Sequence, residues 1–240
     1  MNSALESPKL SGALFFDTPK IPTDELLLID KPANLSSFGV VARVRRKLSE
    51  AAGHKVKVGH TGTLDPFATG LLVLLIGKGT KRANDFLKLD KEYLATIHLG
   101  ATSTTGDPEG EITPQTVATI PTRATIEAAV SSFLGPIEQT VPQFSAVKIQ
   151  GQRAYKLARA GKTVTMPRRT VTIYDLEILD YTWPELQIRC AVSSGTYIRT
   201  LGEDIGKKLG TGAYITALRR TKVGEFCVTD ATTLDDFMTK

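Results

Sequence analysis

Gly59-His-Thr-Gly-Thr-Leu-Asp65-Pro-Phe-Ala-Thr-Gly70-Leu-Leu-Val-Leu-Leu-Ile76 sets one carboxylate between glycine- and threonine-rich turns and then runs into six apolar residues. Gly59, Gly62 and Gly70 let the backbone turn tightly or approach a ligand closely. Pro66 fixes the dihedral just after the acid, and the threonine hydroxyls can satisfy exposed backbone groups. The run Leu71 to Ile76 is short, unbroken and apolar, the pattern of a buried strand, so the acid is anchored to core on its C-terminal side. By itself an Asp-Pro pair in such a segment is more often an ordinary turn than a catalytic site. The rest of the chain has to decide between the two.

Upstream, Leu26 to Asp30 reads as a first strand, and Ser36 or Ser37 can cap a helix with Val40, Val41, Val44 and Leu48 on one side. Downstream, a short helix is expected over Thr80 to Leu87. A strand follows over Glu92 to Leu99, with Tyr93, Ala95, Ile97 and Leu99 on one face. The Thr-, Gly- and Pro-rich segment Thr102 to Pro121 reads as a loop. Helices near Arg123 to Phe133 and Arg153 to Ala160 flank a short strand. Strands near Val171 to Tyr181 and Leu186 to Val192 precede a last major helix, Thr196 to Leu209. Strands outnumber helices without strict alternation, which predicts an α+β fold with a mixed, mainly antiparallel sheet flanked by helices. Residues 1–24 show little periodicity and are expected to be a flexible segment, with one catalytic domain over residues 25–240.

The net charge of +5 is unevenly spread. From Lys31 to His60 seven Lys and Arg face the single acid Glu50; from Val141 to Thr170 there are seven basic residues and no acid. Between them, Gly100 to Thr140 holds five acids against Arg123. One such block is usually a solvated face, but two blocks interleaved with Phe38, Phe144 and Tyr155 suit a polyanion, and nucleic acid is the economical partner. A membrane surface fits less well, since neither block pairs its charges with a broad Trp/Phe/Leu face. The apolar runs are too short to span a bilayer and no signal pattern opens the chain, so the cytoplasm is expected. Cys190 and Cys227 form no CxxC and are expected to be buried small hydrophobes. His54, His60 and His98 lack ligand companions, and Gly77-Lys78-Gly79 lacks the pieces of a phosphate loop. Neither a metal nor any other cofactor is expected.

The run GHTGTLDPFATGLLVLLIGKGTK, residues 59–81, closely resembles the nucleophile motif of the TruB family of tRNA pseudouridine synthases, whose essential aspartate falls at Asp65. The resemblance covers roughly Leu26 to Leu234. LLIDKP, with Lys31 and Pro32, resembles the family's first strand and turn; KEYLATIHLG resembles the segment carrying its active-site tyrosine, here Tyr93. PQFSAVKIQGQRAYKLAR resembles a substrate-facing strand and helix, and SSGTYIRTLGEDIGKKLGTGAYITALRRTKVG the last catalytic motif, all in family order. Val141 stands where a proline often lies, and Asn34-Leu35-Ser36 replaces the usual Gly-Met-Thr. Family members usually continue into a PUA-type domain. Here only the acidic piece Thr229 to Lys240 remains, so a short form with no C-terminal PUA domain is expected.

The resemblance implies a pseudouridine synthase fold and an RNA-modifying isomerase that turns uridine into pseudouridine at position 55 in the T-arm of tRNA, as a monomer. It makes Asp65 the nucleophile, Tyr93 a flat wall whose hydroxyl could assist proton removal, and Arg199 a partner that keeps Asp65 ionised by lowering its pKa. Tyr197 is expected as a second wall hydrogen-bonded near Arg199, at a strand-to-helix junction. Leu218 would pack against the base, His60 would occupy space beside it, and Lys31 would bind substrate. Three other classes compete: an RNA-binding or RNA-folding module without catalysis, a guide-dependent pseudouridylase, and a metal-dependent hydrolase. The last lacks further ligands.

Overall fold

Val40, Val41, Val44 and Leu48 line one side of a helix, and that side faces the core. The computed structural model describes residues 25–149, 151–161 and 164–239; the expected flexible segment, residues 1–24, lies outside the described residues. Strand β1 (Leu26–Lys31) leads into helix α1 (Ser37–Ala52). Ser36 caps α1 by accepting the Gly39 N–H at 3.0 Å. Val40, Val41 and Val44 pack with Ile29 and with Leu72 and Leu74 of β3 (Thr69–Ile76). Each buried side chain of this kind contributes about 1.5–3 kcal/mol relative to exposure.

Strand β2 (Val58–His60) runs along β3, which is buried on both faces. Leu72 and Leu74 face the α1 cluster. Leu71, Val73 and Leu75 join a cluster with Phe86 of α2 (Ala83–Leu87). Burial on both faces is why the run shows no alternation. The helix expected over Thr80 to Leu87 is in fact a 3-10 segment, Gly77–Arg82, followed by α2, because Gly77 and Gly79 weaken a regular helix there.

Next come β4 (Lys91–Leu99), β5 (Ala101–Ser103) and β6 (Ile112–Pro114), then α3 (Arg123–Ser131) and β7 (Gly135–Thr140). A two-residue ladder, β8 (Lys148–Ile149) with β9 (Gln152–Arg153), precedes α4 (Ala154–Arg159), β10 (Arg168–Thr182) and β11 (Glu185–Val192). The chain continues through α5 (Ile198–Leu209), β12 (Ala213–Val223), β13 (Phe226–Cys227), β14 (Thr232–Thr233) and α6 (Leu234–Thr239). Tyr93, Ala95, Ile97 and Leu99 are all buried, as their alternation predicts. The segment read as a loop over Thr102 to Pro121 instead contains the β5–β6 hairpin.

The main sheet has the order β14-β1-β3-β12-β4-β11-β10-β7, with β2 on β3 and β13 on β12. Its pairs are antiparallel except β1 with β14 and β3 with β12, so the expected mixed, mainly antiparallel α+β architecture forms. The largest core cluster joins β4, β11 and β12 with α5. β12, which the sequence reading does not contain, lies at the centre of the sheet. Its register against β4 shifts between Ile215 and Ala217 and again between Arg220 and Lys222. These bulges break the period-2 signal that would mark a strand. At Gly70, φ is +100° and a Cβ would meet the Arg220 carbonyl oxygen at 2.3 Å, so only glycine lets β3 and β12 close together. Cys190 is buried as expected, whereas Cys227 is partly exposed in the short β13. No helix among the described residues is long and apolar enough to cross a membrane.

Candidate active site

Asp65 lies in the turn between β2 and β3, and side chains from three elements pin that turn. The Ser37 hydroxyl at the start of α1 accepts the Leu64 N–H at 2.8 Å and donates to the Leu64 carbonyl at 2.9 Å. Arg220 of β12 donates to Gly62 O at 3.2 Å and Leu71 O at 2.8 Å, straddling the turn. Lys31 at the end of β1 donates to Pro66 O at 3.1 Å, and also to Pro32 O at 2.8 Å and Leu35 O at 2.7 Å. Within the turn, the Ala68 N–H reaches Asp65 O at 3.1 Å. Ser37, Lys31 and Arg220 are all buried. These donors fix carbonyls on both sides of Asp65 and together hold the turn in one place.

Lys31 therefore differs from its expected role. It is fully buried behind the turn and positions the backbone of Pro66 instead of reaching a substrate. Burial lowers its pKa to about 8, against the nearby Asp65 charge, which raises it.

Arg199 is the second residue of α5, and its guanidinium joins three parts of the chain. Nε lies 3.0 Å from Asp65 Oδ2, Nη1 lies 3.1 Å from Asp107 Oδ2 and donates to Thr105 O at 2.6 Å, and Nη2 donates to Phe144 O at 2.8 Å. The Arg199 and Asp107 side chains are each 5% exposed, whereas Asp65 keeps 33% of its side-chain surface open. Asp107 is itself fixed, accepting the Thr105 hydroxyl at 2.5 Å and the Glu109 N–H at 3.0 Å.

The expected pairing of Arg199 with Asp65 is present, but the expected lowering of the Asp65 pKa is not the net result. Burial is the largest influence and raises it. Arg199, through charge and hydrogen bond, and Lys31 oppose that rise, while Asp107 adds to it. Burial and the Asp107 charge thus outweigh the opposing influence of Arg199 and Lys31 on the carboxyl group.

A cavity of about 820 Å³ opens above this carboxylate, lined by Tyr93, Tyr197, His60, Lys91, Phe38 and Tyr155 among others. Tyr93 is 8% exposed; burial raises its pKa while the Arg220 guanidinium, by charge and hydrogen bond, opposes this. The phenol therefore stays protonated near neutrality, which suits a wall and a hydrogen-bonding group better than a phenolate base. Tyr197 stands at the N-cap of α5, the junction expected for it. It is held through its main chain: its N–H donates to Gln139 Oε1 at 3.0 Å, and Gln139 Nε2 donates to its carbonyl at 3.2 Å. His60 accepts the Gly62 N–H at Nδ1, 3.3 Å away, and burial followed by the Arg220 charge lowers its pKa, leaving it neutral. Leu218 is not brought to this cavity. It sits in the main core cluster with Leu64 and Ala95, and borders a second cavity of about 340 Å³ beside Phe67.

Sequence reasoning missed Asp107, Arg220, Gln139 and Ser37 as parts of the site. Gly106-Asp107-Pro108 carries the same signal as the turn at Asp65, an acid ahead of a proline in a glycine-rich segment. Arg220 carried a weaker signal, a doublet with Arg219 in a segment whose strand character was hidden by bulges. Among the described residues, no three His, Cys, Asp or Glu side chains converge as metal ligands.

Residues 45–198 match the family described as TruB family pseudouridylate synthase, N-terminal domain, and residues 199–240 match the tRNA pseudouridylate synthase B C-terminal domain. The chain is similar to tRNA pseudouridine synthase B of Phocaeicola vulgatus, 44% identical over 89% of this chain and 91% of that protein. It is also similar to that of Parabacteroides distasonis, 43% identical over 89% and 93%. With the enzyme of the same name from Cupriavidus pinatubonensis it shares 46% identity over 90% of this chain and 69% of that one. Among solved structures, it resembles a chain of an H/ACA RNP bound to a substrate RNA containing 2′-deoxyuridine, with 27% identity and TM-score 0.65. That match covers 94% of this chain but 57% of the other. With family matches running from residue 45 to the last and 44% identity over 91% of one relative, the chain belongs to the TruB family of pseudouridylate synthases.

Proposed function

We propose that this protein converts uridine to pseudouridine at position 55 in the T-arm of tRNA, with Asp65 as nucleophile on a uridine turned out of its stack. The observation that carries the reading is the Asp65 carboxylate on the floor of an aromatic-walled cavity, 3.0 Å from the Arg199 guanidinium. Relatives 43% to 46% identical are tRNA pseudouridine synthases B, which supports tRNA as the substrate class. The reading takes the protein to be a monomer that acts on RNA in the cytoplasm.

The reaction breaks the bond from ribose C1′ to uracil N1, turns the base over and joins C1′ to C5; N1 gains a proton and C5 loses one. It is an isomerisation without change of oxidation state. Ionised Asp65 can add to the sugar or the base, or stabilise a developing cationic C1′. Arg199 fixes the direction of approach, and Tyr93 and Tyr197 hold the base flat while it turns. Extruding the uridine costs a few kcal/mol, which stacking on aromatic walls and contacts to the basic surfaces offset.

The test is incubation of purified protein with a uridine-containing T-arm hairpin, without metal or nucleotide, followed by nucleoside analysis. Pseudouridine should form, and Asp65→Asn should abolish it while RNA binding persists. Undiminished product from Asp65→Asn would reject Asp65 as the nucleophile, whereas RNA binding without product from the native chain would favour a plain RNA-binding module. The fold similarity to chains of H/ACA RNP structures, at 27% to 28% identity, is what speaks for the guide-dependent reading. Turnover on a bare hairpin, with no guide and no partner, excludes it.

A further inference from the structure

Among the described residues, Phe38 is the most exposed large hydrophobic side chain, at 64%. A phenyl ring left in water forgoes the gain of burying its apolar surface, so its position invites an explanation. It lies in the first turn of α1 and lines the same cavity as Asp65. The Arg45 guanidinium, two turns further along the helix, sits 5.8 Å from its ring centroid. The neighbouring Ser37 is hydrogen-bonded at both the N–H and the carbonyl of Leu64, the residue before Asp65. Each of those sequence neighbours is about 3.8 Å away along the chain. The ring is thus tied to the turn that carries Asp65 through a short path along the chain, and its exposure places it on the solvent side of the cavity lining.

An exposed flat ring backed by a cation is the chemistry that single-stranded nucleic acid uses: a π-face for a base and a positive charge near its phosphates. We propose that Phe38, backed by Arg45, is a stacking platform for the unpaired base adjacent to the target uridine. The floor of the cavity takes the uridine, and Phe38 takes its neighbour. This rests on the reading of the protein as an enzyme acting on an extruded uridine. It adds a second base contact that would hold the RNA open beside the target.

The test uses three hairpins: one intact, one abasic immediately 5′ of the target uridine and one abasic immediately 3′ of it. Binding and turnover are measured with the full chain and with Phe38→Ala and Phe38→Trp. Phe38→Ala is expected to weaken binding of the intact hairpin about fivefold to a hundredfold, the range for losing one base stacked on an aromatic ring. The loss should appear in KM more than in kcat. Against one of the abasic hairpins the same substitution should change affinity less than about twofold, because the stacked base is already gone. Phe38→Trp should bind the intact hairpin at least as well as the native chain. An equal effect of Phe38→Ala on all three hairpins, or no effect on the intact one, overturns the platform. Since the ring is largely exposed, an unchanged melting temperature separates loss of contact from loss of fold. Absence of pseudouridine with the native chain would sink the enzymatic reading alone, because the binding cycle is read without turnover.

Discussion

Arg199 is a fork with no freedom left: Nε faces Asp65, Nη1 faces Asp107 and Thr105 O, and Nη2 faces Phe144 O. A lysine has one point of charge and could not span these partners. Asp107 is the second acid on this fork. It draws the guanidinium from one side, and its own charge pushes the Asp65 pKa up. Asp107→Asn should therefore have two effects that can be read separately. Arg199 loses a charged anchor, and kcat should fall by about tenfold to a hundredfold, as misplacement of a positioning group costs. The Asp65 pKa should fall as well. If Asp65 acts in its ionised form, as proposed, activity disappears as pH drops through its pKa, and the acid limb of the pH–rate profile should move to lower pH. A limb that stays in place, or moves up, would show that Asp107 does not act on Asp65 through charge. This acid pair was half legible in the chain: Asp65 stood out in a long motif, while Asp107 stood in a segment whose composition reads as plain loop.

At the scale of elements, the site depends on how α5 is docked. Gln139, 1% exposed near the end of β7, uses both ends of its amide on the main chain of Tyr197, so β7 sets where α5 begins. Gln139→Glu keeps the acceptor for the Tyr197 N–H, but an ionised carboxylate has no proton to offer the Tyr197 carbonyl. At alkaline pH the variant should lose about tenfold in kcat, near the cost of one unmet buried hydrogen bond. As pH falls and the buried glutamic acid takes up a proton, the donor returns, and the ratio of native to variant rates should narrow. A ratio that is flat with pH would mean that Gln139 merely fills space. Most elements, from α1 to β11, could be read from caps and periodicity. β12 could not, because two bulges and the buried Arg220 interrupt its apolar alternation.

Across the molecule, two buried lysines, Lys31 at the end of β1 and Lys91 at the start of β4, lie beside the turn that carries Asp65 and the cavity above it. Lys31 and Lys91 are each lowered to about 8 from 10.5, in both cases chiefly by burial. Between those values the unfolded chain binds more protons than the folded one, so stability should rise with pH from about 8 to about 10.5. Urea unfolding midpoints at pH 8 and 10 check this, and Lys31→Met should show a smaller rise. That variant should also be less stable at pH 7.5 by about 1–3 kcal/mol, through the carbonyls of Pro32, Leu35 and Pro66 that it leaves unmet. By itself the sequence determined the strand after Gly70, the helix capped by Ser36, the mixed α+β class and the motif around Asp65, because caps, periodicity and motif spacing are local properties of the chain. Only the tertiary structure decided that Lys31 supports the turn from behind, that Leu218 belongs to the core, and that Asp107, Gln139 and Arg220 complete the site. It also set the net direction of the Asp65 pKa. These depend on which distant segments meet and how much water they exclude, and neither burial nor long-range contact is written in any single segment of the chain.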